Sequence, residues 1–183
     1  MIRVLLWVLG AVLLGGIVHL ATVLALPRAA NQDAYSRLVP LAKVNAVVPL
    51  PSPTAEASIM PFMDPAFMAA VCRYDLTGGV IKLNVPLSQA YTSVTFYTRN
   101  SVAYYAIDDR AAGRRAIELD LMTPEQHAQV PDEEDVTAAD RLIIESPTTT
   151  GLIILRALAP EPGLMPMARR ALANAQCRLG PVQ

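Results

Sequence analysis

Two cysteines, Cys72 and Cys177, are the side chains whose pairing would matter most, and they lie far apart in the chain. An even count in a small exported domain favours a structural disulfide. Two buried free thiols and a redox couple are the alternatives, and no Cys-x-x-Cys spacing is present to support the last. His127 is the one histidine outside the apolar N-terminus and sits among polar neighbours, so it reads as a surface residue rather than a catalytic base. Asp132, Glu133, Glu134 and Asp135 form the densest charge run. They lack the ligand alternation and glycine of a calcium loop and read as solvated. Asp108, Asp109 and Asp120 could pair for acid–base work across a sheet. Asp108-Asp109-Arg110 reads more simply as a polar turn.

No nucleophile–base arrangement, phosphate loop or metal spacing stands out, so the expectation is no catalytic residues, no metal and no cofactor. What remains is a concentration of Tyr91, Tyr97, Tyr104 and Tyr105 on one stretch, with Arg99, Arg110, Arg114 and Arg115 at its ends. Aromatics beside arginines can bind an anionic or sugar-like ligand, or a protein. The set expected to bind is Tyr91, Tyr97, Arg99, Tyr105, Arg110 and Arg114. The competing reading is tyrosines that pack a sheet and arginines that keep its rim soluble.

These residues need a scaffold, and composition restricts it. The 183-residue chain is 53% hydrophobic and 17% charged, with net charge −1. That balance argues against disorder, and 15 basic against 16 acidic residues leave no excess with which to hold nucleic acid. Residues 4–26 carry no formal charge and as a helix would extend about 34 Å, more than the roughly 30 Å of a bilayer core. Trp7 suits an interface. The length favours an uncleaved signal anchor over a cleaved signal peptide, whose apolar core is about 7–15 residues. Arg3 favours a cytoplasmic N-terminus, whereas Arg28, Arg37 and Lys43 just beyond the span pull the other way, so charge leaves the orientation open. His19 within the span reads as a neutral imidazole, with Thr22 the one nearby polar residue.

Two domains are expected: residues 1–30 as the anchor and residues 31–183 as a β-rich domain with a proline-rich N-terminal extension and a C-terminal helix. Tyr35, Leu38 and Leu41 suggest a short amphipathic helix over residues 33–41. Residues 40–65 hold six prolines but also Val47, Val48, Leu50, Ile59, Met60 and Phe62, which suits an extended segment pressed onto the domain. Asp64-Pro65 has the form of a helix start, and Phe67, Ala70, Val71 and Tyr74 follow at helical spacing up to Gly78-Gly79. The period then becomes two. Strands are expected at residues 80–85, 90–98, 101–107 and 116–122, the second and third joined around Arg99-Asn100. Thr123-Pro124-Glu125-Gln126 opens a capped helix. Residues 141–145 and 152–158 suggest a second hairpin, and residues 165–177 a final helix. The sum is an N-terminal transmembrane helix plus a mainly antiparallel β (α+β) domain of about six strands, a sandwich or partly open barrel with flanking helices.

Several of these segments resemble a known bacterial family. Met60-Pro61-Phe62-Met63-Asp64-Pro65, Tyr74-Asp75-Leu76, Gly78-Gly79, the run Tyr91-Thr92-Ser93-Val94-Thr95-Phe96-Tyr97-Thr98-Arg99-Asn100, and Asp108-Asp109-Arg110-Ala111-Ala112-Gly113-Arg114 are similar to the 1254 domain-of-unknown-function family in its short, single-span form. Longer members carry an Asn-x-Asp-Thr pattern where this chain has Met-Asp-Pro. The resemblance implies a fold and an envelope location rather than a reaction. It also implies a protein partner, because short members resemble one half of a two-domain arrangement.

The expectation for function is therefore a single-pass protein of the bacterial inner membrane, held in the bilayer by residues 4–26. Its periplasmic domain would be a non-enzymatic binding or accessory module with a protein partner in the cell envelope and no nucleic acid. The alternatives are a membrane-tethered, hydrolase-like enzyme using surface carboxylates, or a structural envelope subunit.

Overall fold

The computed structural model describes residues 1–29, 33–54, 56–112, 115–130 and 142–181. The chain divides into two units, residues 1–33 and residues 34–183. The first is helix α1 (Ile2–Ala29). Its segment Ile2–Leu26 has mean hydropathy 2.4 and no buried residue, and is long and apolar enough to cross a bilayer or to act as a signal sequence. The Thr22 hydroxyl donates to the Val18 carbonyl at 2.8 Å, so it is satisfied within the helix rather than by His19.

The second unit begins with α2 (Ala34–Leu38), shorter than the sequence suggested, then β1 (Val47–Pro49), β2 (Phe67–Asp75), β3 (Val80–Pro86), β4 (Thr92–Thr98) and β5 (Ala103–Asp108). The elements α3 (Asp109–Ala112), β6 (Ala116–Met122), α4 (Pro124–His127), β7 (Leu142–Glu145), β8 (Thr150–Leu158), α5 (Met165–Ala173) and β9 (Gln176–Gly180) complete it. Five strands form one sheet in the order β1-β2-β8-β4-β5, and four form a second in the order β7-β6-β3-β9. All pairs are antiparallel except β6 with β7. The main core lies between the sheets: Ala70, Cys72, Tyr74, Val94, Phe96, Ile153 and Leu155 from the first meet Ile81, Leu83, Val85, Ile117, Leu119 and Leu121 from the second. Helix α5 adds Ala168 and Leu172 to it.

Strands β3 and β6 follow their alternation. Leu119 and Leu121 are buried, while Glu118 faces out and accepts a hydrogen bond from Asn84 Nδ2 at 2.6 Å across the ladder. The capped start at Thr123 is also present. Thr123 Oγ1 accepts from the Gln126 N–H, Gln126 Oε1 accepts from the Thr123 N–H, and Gln126 Nε2 reaches on to the carbonyls of Leu76 and Gly79.

Four expectations are corrected. Residues 67–75 form a strand, not a helix. Met68, Ala70, Cys72 and Tyr74 face the main core, and Val71 is buried on the opposite face, so both sides are apolar and the period of two is hidden. Asp64 spends its side chain on a turn, Oδ1 accepting the Ala66 N–H at 2.8 Å. Residues 141–145 and 152–158 do not make a hairpin: β7 joins β6, whereas β8 runs between β2 and β4 in the other sheet. Buried Ser146 marks the crossing, its N–H held by the Met122 carbonyl at 2.8 Å. The final helix stops at Ala173, and Gln176–Gly180 pairs with β3 as a strand too short to announce itself. Nine strands, not six, are therefore present among the described residues.

The proline-rich passage does lie on the domain. Pro49 is tolerated because β1 is an edge strand. Leu38 and Leu50 are buried against Val71, Leu152 and Ile154, with Tyr35, Val48, Ile59 and Met60 packed around them. This second, smaller core covers part of the outer face of the five-stranded sheet. Phe62 is the exception, fully exposed with φ 60°.

Cys72 on β2 and Cys177 on β9 form a disulfide with Cα atoms 6.5 Å apart, joining the two sheets inside the core. Both cysteines stand on strands rather than on the helices expected for them.

The turn after β2 provides a pH-dependent element. Asp75 Oδ1 accepts the Thr77 hydroxyl at 2.7 Å and the Thr77 N–H at 3.0 Å. The Thr77 hydroxyl, then its N–H, then the charge of Arg73 hold the Asp75 carboxyl below the usual carboxylate value, outweighing a small opposing desolvation. A depressed folded pKa contributes stability above the unfolded pKa, and that stability is lost as pH falls through the folded value. Carbon-detected NMR titration of Thr77→Val should move the Asp75 midpoint upward toward the unperturbed value, whereas an unchanged midpoint would remove the hydroxyl as the main cause.

Candidate functional site

The outer face of the five-stranded sheet has one feature that its alternation does not absorb. Strand β8 is buried at eight of nine positions wholly or in part, and Arg156 is the exposed one. Alternation puts Leu152, Ile154 and Arg156 on the same outward side. Leu38, Leu50, Val48, Ile59 and Met60 pack with Leu152 and Ile154, while Arg156 stays exposed. Across the ladder Arg156 stands between Ala69 on β2 and Ser93 on β4, and Ser93 stands opposite Asp108 on β5. The next row is Val71, Ile154, Thr95 and Ala106.

Three depressions meet at Arg156. One, of about 450 Å³, is lined by Leu50, Met60, Met63, Asp64, Phe67 and Ile154, with Phe62 at its margin. A second, of about 440 Å³, is lined by Tyr91, Ser93, Thr95, Asp108 and Ala111. A third, of about 130 Å³, lies toward Leu38, Met60, Tyr97 and Ser101. The guanidinium thus separates a methionine- and phenylalanine-lined side from a hydroxyl-lined side. Phe67 and Tyr91 bridge the two at one end, edge to face with centroids 6.4 Å apart.

Among the described residues no carboxylate pairs with Arg156. The two acids in the linings are committed to local turns. Asp64 Oδ1 binds the Ala66 N–H, and Asp108 Oδ1 accepts the N–H groups of Arg110 and Ala111 at 3.1 and 3.0 Å. Left-handed backbone at Phe62 is uncommon for a bulky residue and costs about 1–2 kcal/mol. Here it presents an aromatic ring to solvent beside the apolar depression.

Of the residues singled out from sequence, Tyr91 and Tyr97 share this face, in different depressions around Arg156. Arg99 lies in the exposed turn between β4 and β5, six residues along from Ser93 and so about 20 Å away. Tyr105 packs its ring against Phe96 at 6.0 Å, and Arg110 is exposed on α3. Arg114 and the acidic run at residues 132–135 lie outside the described residues. Asp108 belongs to the outer face of one sheet and Asp120, opposite Lys82, to the outer face of the other, so the two do not come together. His127 Nδ1 lies 2.6 Å from Glu145 Oε1, both on the surface. Among the described residues no three of His, Cys, Asp and Glu gather as a metal site.

Tyr104 is instead part of a buried hydroxyl cluster between the sheets. Its phenol donates to Tyr74 Oη at 3.3 Å, Tyr74 Oη lies 3.0 Å from Ser146 Oγ, and Ser146 donates to the Thr148 carbonyl at 2.6 Å. Burial pushes the Tyr104 phenol far up, so it serves as a neutral hydrogen-bonding group. Arg156 itself was not singled out from sequence. The signal was there: one arginine inside the apolar run Leu152-Ile153-Ile154-Leu155-Arg156-Ala157-Leu158.

The model of a family described as "Protein of unknown function (DUF1254)" matches residues 44–179. Among solved structures the domain is similar to the VPA0106 protein from Vibrio parahaemolyticus, with TM-score 0.56 and 12% identity over 75% of this chain and 30% of that one. It is also similar to a putative uncharacterized protein from Burkholderia cenocepacia, with TM-score 0.48 and 15% identity over 76% of this chain and 36% of that one. The chain thus spans about a third of the length of these structures. No curated protein matches it.

Proposed function

Since the chain belongs to the DUF1254 family, whose function is unknown, we propose from its geometry a non-enzymatic binding or accessory domain, anchored to the bacterial inner membrane and facing the periplasm. The observation that carries the binding role is Arg156, a guanidinium with no carboxylate paired to it among the described residues, on a central strand where three depressions meet. The site would use Tyr91, Tyr97, Ser93 and Thr95 around it. Arg99, Tyr105, Arg110 and Arg114 stand at the edges of the same hairpin, where they could extend the contact to a larger partner. The Cys72–Cys177 disulfide supports an oxidising compartment, and the apolar length of α1 supports attachment through residues 4–26. A protein partner in the cell envelope belongs to the same proposal.

The test compares what co-purifies with the full chain in lipid discs. Mass spectrometry of wild type, Arg156→Glu and Lys82→Glu, the last on the opposite sheet, should show a small-molecule species retained by wild type and Lys82→Glu and lost from Arg156→Glu. Identical content in all three would reject the binding face.

A further inference from the structure

We propose that the Arg156 site takes a single-chain amphiphile with a carboxylate head, the head on Arg156 and the hydroxyl side, the tail along Met60, Met63 and Phe67. This rests on the binding role proposed above and names its ligand class. Three observations define the class. The guanidinium is planar, permanently charged and without a carboxylate partner among the described residues, so it calls for a flat anion that can accept two N–H bonds. Ser93 and Thr95 stand beside it on β4, and neither hydroxyl has a hydrogen-bond partner among the described residues, which leaves both able to donate to the same head. On the other side Leu50, Met60, Met63, Phe67 and Ile154 supply thioether and hydrocarbon wall beside the Asp64 carboxyl, in a groove of about 450 Å³ with polar as well as apolar surface. Methionine side chains adapt to flexible apolar ligands, and a volume of this size fits the small-molecule range.

Asp64 and Asp108 set the charge of the head. One lies in each of the two larger linings, its Oδ1 capping a turn. With one cation and two flanking anions, a singly charged carboxylate is favoured over a doubly charged phosphate.

The probe is octanoate, titrated calorimetrically into the full chain in phosphatidylcholine discs, with empty discs subtracted. Octanol, acetate and octyl phosphate are run alongside. Octanoate should bind, octanol and acetate should each bind at least about tenfold more weakly, and octyl phosphate should bind no more tightly than octanoate. Arg156→Gln should weaken octanoate about tenfold or more, and Met63→Gln should weaken it while leaving acetate unchanged. Both variants should keep the wild-type unfolding midpoint, because both positions line open grooves. Octanoate binding that is absent, insensitive to Arg156→Gln, or equalled by octanol would overturn the proposal, as would tighter binding of octyl phosphate. If octanoate fails while an Arg156-dependent species still co-purifies, the ligand class falls and the binding face stands. If neither is seen, both fall.

Discussion

Replacing Cys72 and Cys177 together by alanine lowers the unfolding free energy of the domain by about 4–5 kcal/mol in the chain-entropy treatment, because the bridge closes a loop across 105 positions. For a domain of this size the total is about 5–15 kcal/mol, so the loss is a large share of what holds it folded. At about 2–4 °C per kcal/mol, the thermal midpoint should fall by roughly 8–20 °C. Position adds a local signature. Cys177 lies on β9, a five-residue strand at the sheet edge whose pairing partner among the described residues is β3, while Cys72 lies on β2 of the opposite sheet. Without the bridge, amides of residues 176–180 should exchange sooner than those of β2 or β8. Each single alanine variant should lose about as much as the double, since either removes the same bond. A double variant that melts within about 2 °C of wild type would show the loop to be constrained by other means.

Gly151→Ala costs about 3 kcal/mol, at the upper end of the usual range for overpacking. Gly151 pairs with Tyr74 on one side and Thr98 on the other, at the start of β8. A β-carbon there would collide with the Tyr97 carbonyl and with the Tyr74 hydroxyl and ring. The carbonyl belongs to the backbone of the adjacent strand, and Tyr74 is fully buried with its hydroxyl tied to Ser146 and Tyr104, so neither can yield cheaply. Gly163→Ala, where a β-carbon would meet nothing within 4 Å, is the control and should stay within about 0.5 kcal/mol of wild type. In the Gly151→Ala background, Tyr74→Phe should recover part of the loss by removing the hydroxyl, and only part, because the ring carbon that bore it and the Tyr97 carbonyl remain. Denaturant melts of the four proteins measure all of this. A Gly151→Ala variant as stable as the Gly163→Ala control would mean that the strand can shift.

Strands with one wet face were legible in the sequence and strands with two dry faces were not. Residues 80–86 and 116–122 alternate because one side meets the core and the other meets water. Residues 67–75 lose that alternation because Leu38, Val48, Leu50, Ile59 and Met60 pack on their outer face, a tertiary contact that periodicity within the strand does not display. The same tertiary cover explains the site. Tyr91 and Tyr97 drew attention as aromatics, but Arg156 matters through its place on the sheet. Leu38, Leu50, Ile59 and Met60 pack with the two positions before it on its face and leave it exposed, which no local pattern encodes. The crossing at Ser146 was hidden for a related reason. A turn-like stretch between two apolar runs looks the same whether the runs pair with each other or join different sheets.

The compartment decides which ligands and partners the Arg156 face can meet, and the thiol state of Cys72 and Cys177 reports the compartment directly. Membranes carrying the full chain would be quenched in acid, denatured, and treated with a maleimide mass tag with and without prior reduction. A periplasmic domain predicts no tag without reduction and two tags after it. Two tags without reduction would mean free thiols and a domain on the cytoplasmic side, contradicting the envelope-facing role and giving the orienting weight to Arg28, Arg37 and Lys43.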